Sequence, residues 1–520
     1  MMSEKASENN DLLQDETLSQ KLIKKGFWLY LFWYLIAPGG YLIRLLISNS
    51  PEVSVADVGI LYSIISLISF LNVYNDLGLT ESLQYFLPKF WIKKEYNHIK
   101  TTIWVSLGVQ ILSSLIIILG LRFWSDWLAQ NYFQHENAAI ILKYFCRYFI
   151  GINLFQTLQT IFMAFQKTFD YQIVDFIRTW IIVWFTLFCF FNKHATIKRY
   201  SLGWILGVTI WIIIAIVIYY RNYQKPLMQG KFEWDKPMLK EYGLYALWAF
   251  IGVNVANLFG QIIQQMVIFF LGPEDAWYYT NFLSLFLIGN TIIWPIMGLI
   301  FPVVSELGAK KDHNKLWLLF SFFYNYFSII TISLSLLFIL LGPEIANSLF
   351  WKEYITSGKL LSINWIFLLF NILSWFNYSV LAWLGEIKGK VKILIKTLIL
   401  VIGISLIGIK TNGIYGAWVS FGTSYLILFI LSSTYLRKLT KIEIEIRWRF
   451  ILKNLLFCII MSIWIVYLKW ELNLSWLNRW EHLWALIGIW IIYYFLLGIL
   501  NYKQIYWLKN ELSKIKTRVK

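Results

Sequence analysis

Five amides recur at three- to four-residue spacing within Tyr242–Leu271, a membrane-length run with no charged residue: Asn254, Asn257, Gln261, Gln264 and Gln265. At about 100° per residue they share one face of a helix. An amide without a partner in hydrocarbon costs several kcal/mol, so this face must meet other helices or a wet cavity. Gluing helices together and lining a cavity are both open readings. A second chemistry is cationic. Arg44, Arg122, Lys143 and Arg147 lie inside or at the ends of other apolar runs. Lys143 and Arg147 are one helical turn apart, and Arg147 sits about two turns into its run. A guanidinium binds phosphate through paired, charge-assisted hydrogen bonds. The alternative is that such side chains snorkel to lipid headgroups.

These residues are carried by a membrane protein. Apolar residues make up 58% of the 520-residue chain and charged residues 14%, against about a quarter in soluble proteins. A bilayer core about 30 Å thick needs roughly 20 apolar residues per helix. Fourteen such runs are present, at 27–47, 58–76, 102–124, 139–164, 174–191, 201–220, 243–271, 278–301, 317–341, 359–384, 392–408, 412–433, 451–469 and 482–500. Most Lys and Arg fall in the alternate segments that include both termini, which predicts both termini in the cytosol and explains much of the +17 net charge without nucleic acid. Cys146, Cys189 and Cys458 form no CxxC pair and read as packing residues, so neither a metal nor a cofactor is implied.

Loops are short, leaving no room for a soluble domain. The connection Arg221–Glu241 carries two prolines and several charges and divides the runs six to eight. The halves echo each other: Ser50-Pro51-Glu52 joins runs one and two, and Gly272-Pro273-Glu274 joins runs seven and eight. Such repetition suggests a transporter of two similar bundles. In the first run, Pro38, Gly39 and Gly40 are hinge candidates, a static kink being the alternative. The acids within the runs are Asp76 and Asp175, both at run ends where water is expected to solvate them. Coupling through Asp76, Glu81 or Asp170 would require these residues to be less exposed than that.

The hairpin SPEVSVADVGILYSI, the edge NDLGLTESLQYFLPKF, the segments LGPEDAWYYTNFLSL, FPVVSELGAKKD and LFWKEY, and the pair ending in TNGIYGAWVSFGTSYLI carry a family resemblance over most of residues 20–435. In order and spacing they resemble the polysaccharide-biosynthesis flippases, O-antigen flippases among them, of the multidrug/oligosaccharidyl-lipid/polysaccharide exporter superfamily. The resemblance implies an all-α polytopic protein of about fourteen transmembrane helices, with two six-helix lobes in a V shape and a C-terminal helix pair. The expected organisation is a cytosolic segment 1–26, an N-lobe 27–223, a linker 224–242, a C-lobe 243–435, an accessory pair 436–500 and a basic cytosolic tail 501–520.

It further implies a multi-pass protein of the plasma (inner) membrane that is not an enzyme. Its function would be to move a polyprenyl-diphosphate oligosaccharide from the cytosolic to the outer leaflet by alternating access, for surface polysaccharide assembly. Its partners would be that lipid-linked cargo, membrane lipids, a polysaccharide polymerase and glycosyltransferases. Runs one and seven would line the cavity, with Arg44, Lys143 and Arg147 for the phosphates and Asn254, Asn257, Gln261 and Gln264 for the sugars. Two other readings stand beside it. A cation-coupled multidrug exporter needs an embedded acid, and a membrane glycan polymerase or ligase needs a catalytic loop, for which His135, Glu136 and Glu481 are modest candidates.

Overall fold

The computed structural model describes residues 31–502 except 33, 166, 193–195, 287–303, 305–312, 350–354, 364, 385, 442–447 and 472–478. Every regular element among them is helical. They fall into two compact units, one ending at Trp277 and the other beginning at Tyr278.

The first unit contains α1 (Tyr34–Ser48), α2 (Val55–Asp76), α3 (Leu79–Ile92), α4 (Tyr96–Phe123), α5 (Ala138–Ala164), α6 (Thr168–Phe191), α7 (Ile197–Gln229) and α8 (Lys236–Leu271). A further helix, 273–286, begins at its edge. The second unit contains α9 (His313–Leu349), α10 (Ile355–Ile363), α11 (Trp365–Trp383), α12 (Ile387–Thr440), α13 (Trp448–Glu471) and α14 (Arg479–Leu500).

Each of the fourteen apolar runs is represented by a helix. Nine helices among the described residues are long and apolar enough to cross a membrane, or ten if the bent pair α10–α11 is one span. The 54-residue α12 is two helices, because Gly413 at φ 56° and ψ −134° breaks it. Only glycine enters that backbone region readily. α1 and the apolar part of α14, Trp484–Leu500, are shorter. The helix 273–286 opens the run 278–301, whose remainder lies outside the described residues.

Local signals set several ends. Ser54 and Asp57 form a capping box at α2: the Asp57 amide donates to Ser54 Oγ at 3.1 Å, and the Ser54 amide donates to Asp57 Oδ2 at 3.3 Å. Asp235 caps α8 by accepting from the Met238 amide at 3.3 Å. The connection between α7 and α8 is laced to the start of α4. Lys100 donates to the Gly230 carbonyl at 2.9 Å, and Thr101 Oγ1 donates to the Glu233 carbonyl at 3.1 Å. His98 lies 3.2 Å from both Glu95 and Asp235.

α3 is an amphipathic helix across the ends of its neighbours, not a bare loop edge. Leu79, Leu83, Phe86, Leu87 and Phe90 recur at helical spacing and are buried, whereas Tyr85, Trp91 and Ile92 are exposed. This stripe packs on α5 and α8. In the second unit, α13 and α14 dock on α9 through Ile329, Leu337, Met461, Ile465, Ile489 and Tyr493.

Candidate translocation site

α1 runs as a helix through Pro38, Gly39 and Gly40, with no break at the proposed hinge. Gly39 is a close-contact position: a Cβ there would stand 3.0 Å from Thr179 Cγ2 on α6. Five residues further on, the Arg44 guanidinium lies over the Tyr62 ring, 5.2 Å from its centroid. Tyr62 in turn stacks on Trp277 at 4.3 Å and meets Trp204 edge-on at 6.3 Å. Cation–π attraction of this kind holds the arginine over aromatic faces rather than in water. α2 reaches the start of helix 273–286 directly, for a Cβ on Gly59 would fall 2.1 Å from the Pro273 carbonyl oxygen.

Lys143 and Arg147 separate in role. Lys143 Nζ is 3.4 Å from Asp126 Oδ1, and both side chains are exposed. Arg147, one turn along α5, is exposed and makes no ion pair or hydrogen bond among the described residues. It is the cation on this helix left available to an anionic ligand.

The amide stripe of α8 divides likewise. Gln265 is interhelical glue: it donates to Ser66 Oγ on α2 at 2.9 Å and accepts from the Tyr132 hydroxyl. Asn257 and Gln261 pair along the helix at 2.9 Å and are half-buried. Asn254 is buried and donates to the Phe250 carbonyl at 2.7 Å, and its Oδ1 has no donor among the described residues. The Nδ2 of Asn257 also lacks an acceptor among them. Gln264 is half-buried beside them.

The expectation that Asp76 is simply solvated at a helix end is corrected by the packing. Its carboxylate accepts from the Thr80 amide at 3.2 Å, from the Thr80 hydroxyl and from Gln110 Nε2 at 2.8 Å. Gln110 also accepts from the Thr157 hydroxyl. Asn75 Nδ2 donates to Asn153 Oδ1 at 2.6 Å, and Asn72 donates to Gln156 at 2.8 Å. A polar network thus runs through α2, α4 and α5. Burial and then the Asp76 charge raise the Glu81 carboxyl above the usual range.

Asp175 is likewise not simply solvated at a run end: it pairs with Arg178, a residue the sequence reading passed over. On α6, Arg178 Nη2 lies 2.7 Å from Asp175 Oδ1, and the guanidinium lies 5.0 Å from the Phe155 ring centroid. The signal was present: an acid and an arginine three apart inside an apolar run face the same way.

The family model described as lipid II flippase MurJ matches residues 83–484. The chain belongs to the MurJ family. The uncharacterized membrane protein MJ1068 of Methanocaldococcus jannaschii is 23% identical over 514 residues, covering 95% of this chain and 99% of that protein. A solved structure of lipid II flippase MurJ in an inward closed conformation matches with a TM-score of 0.67 at 16% identity, covering 92% of this chain and 99% of that one. An inward-facing multidrug resistance MATE family transporter of the MOP superfamily matches with a TM-score of 0.64 at 13% identity, over 78% and 95% of the two chains.

The fold is therefore shared with MurJ and MATE proteins. As a MurJ family member the chain is a multi-pass membrane transporter of the lipid-linked flippase type, and not an enzyme. The motifs pointed to a lipid-linked flippase; the family is MurJ, and the O-antigen flippases are not singled out.

Proposed function

We propose that this MurJ family protein moves a polyprenyl-diphosphate-linked saccharide from the cytosolic to the outer leaflet of the plasma membrane by alternating access, with both termini cytosolic. The lipid II named in the family's description and a lipid-linked oligosaccharide for surface polymers are the two cargos to compare. Polymerases and glycosyltransferases would then act before and after it. The observation that carries the reading is Arg147, an exposed guanidinium on a spanning helix that pairs with nothing among the described residues. Its planar donors suit a diphosphate, and a bare guanidinium in hydrocarbon is costly unless it serves a ligand. Arg44 and Lys143 would add charge, while Asn254, Asn257, Gln261 and Gln264 would offer neutral hydrogen bonds to sugar hydroxyls. Pro38, Gly39 and Gly40 would flex as the cavity changes face.

Liposomes carrying fluorescent lipid-linked saccharide in one leaflet test this. Wild-type protein should expose the headgroup to a membrane-impermeant quencher, and Arg147→Ala should slow that exposure. Equal rates would remove Arg147 from the site. Cation-coupled drug export is the second reading, favoured by the Asp76 carboxylate, half-buried and held by Thr80 and Gln110, and by the half-buried Glu81 near it in sequence. Drug efflux from the same liposomes without lipid movement would establish it.

A further inference from the structure

Asp76 ends α2 and lies level with Gln110, near the middle of the 28-residue α4. Its carboxylate accepts from the Thr80 amide at 3.2 Å, from the Thr80 hydroxyl and from Gln110 Nε2 at 2.8 Å. Three donors suit an ionised carboxylate, which can only accept. A negative charge beside the middle of a spanning helix calls for a counterion. The protein supplies none among the described residues. The last turn of α2 has no basic residue, and the ion pairs are His98 with Glu95 and Asp235, Lys143 with Asp126, and Arg178 with Asp175.

Two further oxygens share the face of α2 that carries Asp76. Asn72, Asn75 and Asp76 stand at i, i+3 and i+4. Asn72 is 6% exposed and Asn75 0%, and the Oδ1 of each has no donor among the described residues. Their neighbours fix which way these amides turn. Asn153 donates its own Nδ2 to the Phe149 carbonyl at 2.7 Å, so it offers Oδ1 to Asn75, which answers with Nδ2 at 2.6 Å. The Asn75 Oδ1 is thereby left without a hydrogen. Asn72 likewise spends its Nδ2 on Gln156 Oε1 at 2.8 Å. Gln110 links the residues, for its carbonyl is 3.5 Å from Asn75 Nδ2 while its side chain holds Asp76.

Buried oxygens without donors are costly unless something electropositive meets them. A water could donate to the two amides, but it would leave the Asp76 charge uncompensated. A cation answers both needs. The end of α2 adds partial negative charge of its own, and the helix stops here because Leu77 at φ 51° and Gly78 at φ 73° are left-handed. Gly78 lies against the α8 backbone, where a Cβ would stand 2.1 Å from the Ala246 carbonyl oxygen, so the break is held from its far side.

We propose that the side-chain oxygens of Asn72, Asn75 and Asp76 form a binding site for a small monovalent cation such as sodium, at the junction of α2, α4 and α5.

The donor set selects the charge. A single carboxylate balances one positive charge, whereas calcium sites gather about 6–8 oxygens and magnesium demands a near-ideal octahedron. Asp76 is half-buried and Leu77 beside it is exposed, which gives an ion a way in. Once bound, the ion ties the end of α2 to α4 through Gln110 and to α5 through Asn153.

Full-length protein in nanodiscs should bind radioactive sodium saturably, with lithium displacing it and choline not. Asp76→Asn should weaken that binding by about tenfold or more, the loss of one ion–carboxylate attraction. Asp126→Asn, which removes an exposed acid, should bind as the parent does. Sodium chloride should raise the melting temperature of the parent above its value in choline chloride of equal ionic strength, and should raise that of Asp76→Asn less. A parent without saturable sodium binding overturns the site, whether or not the variant folds. So does an Asp76→Asn protein that binds sodium like the parent, or an Asp126→Asn protein that loses as much binding as Asp76→Asn. No cargo is present in any of these measurements, so their outcome is independent of both the flippase and the drug-export readings.

Discussion

Tyr85 of α3 and Tyr245 of α8 stack face to face, with ring centroids 4.5 Å apart and planes 10° from parallel. The contact adds an aromatic clasp beside the seat of Gly78 against Ala246, the residue next to Tyr245. Such pairs contribute roughly 0.5–1.5 kcal/mol beyond area burial. Tyr85→Ala should lower the thermal stability of detergent-solubilised protein by about that amount, and Tyr85→Phe should restore it. Equal melting of the alanine and phenylalanine variants would show that the rings do not clasp.

Gly78→Ala should destabilise more. It places a side chain in the left-handed region and against the α8 backbone, costing about 1–3 kcal/mol in strain alone. Gly40→Ala, where a Cβ meets nothing within 4 Å, is the matched control and should melt with the parent.

At the cationic site, Arg147→Ala should weaken cargo headgroup binding by roughly 10–100-fold, the range of one charge-assisted hydrogen bond or a bidentate pair. Arg147→Lys should fall between, because an ammonium is a point charge without the planar fork. Lys143→Ala should change binding little, since its exposed pair with Asp126 is weak and screened. Binding of fluorescent lipid-linked saccharide at several salt concentrations checks all three.

Glu81 sets a direction for pH. Its carboxyl is raised in the folded protein, so the fold binds more protons than the unfolded chain. Stability is therefore greatest below the ordinary glutamate value of about 4.3 and declines as pH rises from there through the raised folded value. Thermal melts across pH should show that decline in the parent and a flatter profile with Glu81→Gln.

Arg178→Met should be severe, because it leaves Asp175 embedded without its cation. Removing one partner of such a pair costs about 3 kcal/mol or more. Replacing both, with Asp175→Leu and Arg178→Met, should recover much of the loss. A double variant as unstable as the single one would show that the arginine's place over Phe155, and not the charge pair, is what α6 requires.

Much of the fold was legible because a spanning helix is written in one dimension: length and apolarity suffice. The fourteen runs and the break near Gly413 are of this kind. Partnership is three-dimensional and was not legible. Lys143 and Arg147 look equivalent along the chain, yet Asp126 lies beside one and nothing among the described residues pairs with the other. Gln265 looks like its neighbours on the stripe but faces Ser66 and Tyr132. Asp76 was misjudged because its place at a run end says nothing of what lies over it. α3 is too short to read as a membrane span from its sequence, and only its packing shows an amphipathic helix there.

The Lys236–Leu271 helix is fastened twice, by Tyr242 to Ser106 and by Gln265 to Ser66. It extends about 54 Å at 1.5 Å per residue, and the fastenings lie 23 positions apart. A rod pinned at two distant points can neither spin nor pivot by itself. The helix that opens the second half of the chain in sequence is therefore mechanically a member of the first unit, and a probe attached along it will report the movements of α2 and α4 together.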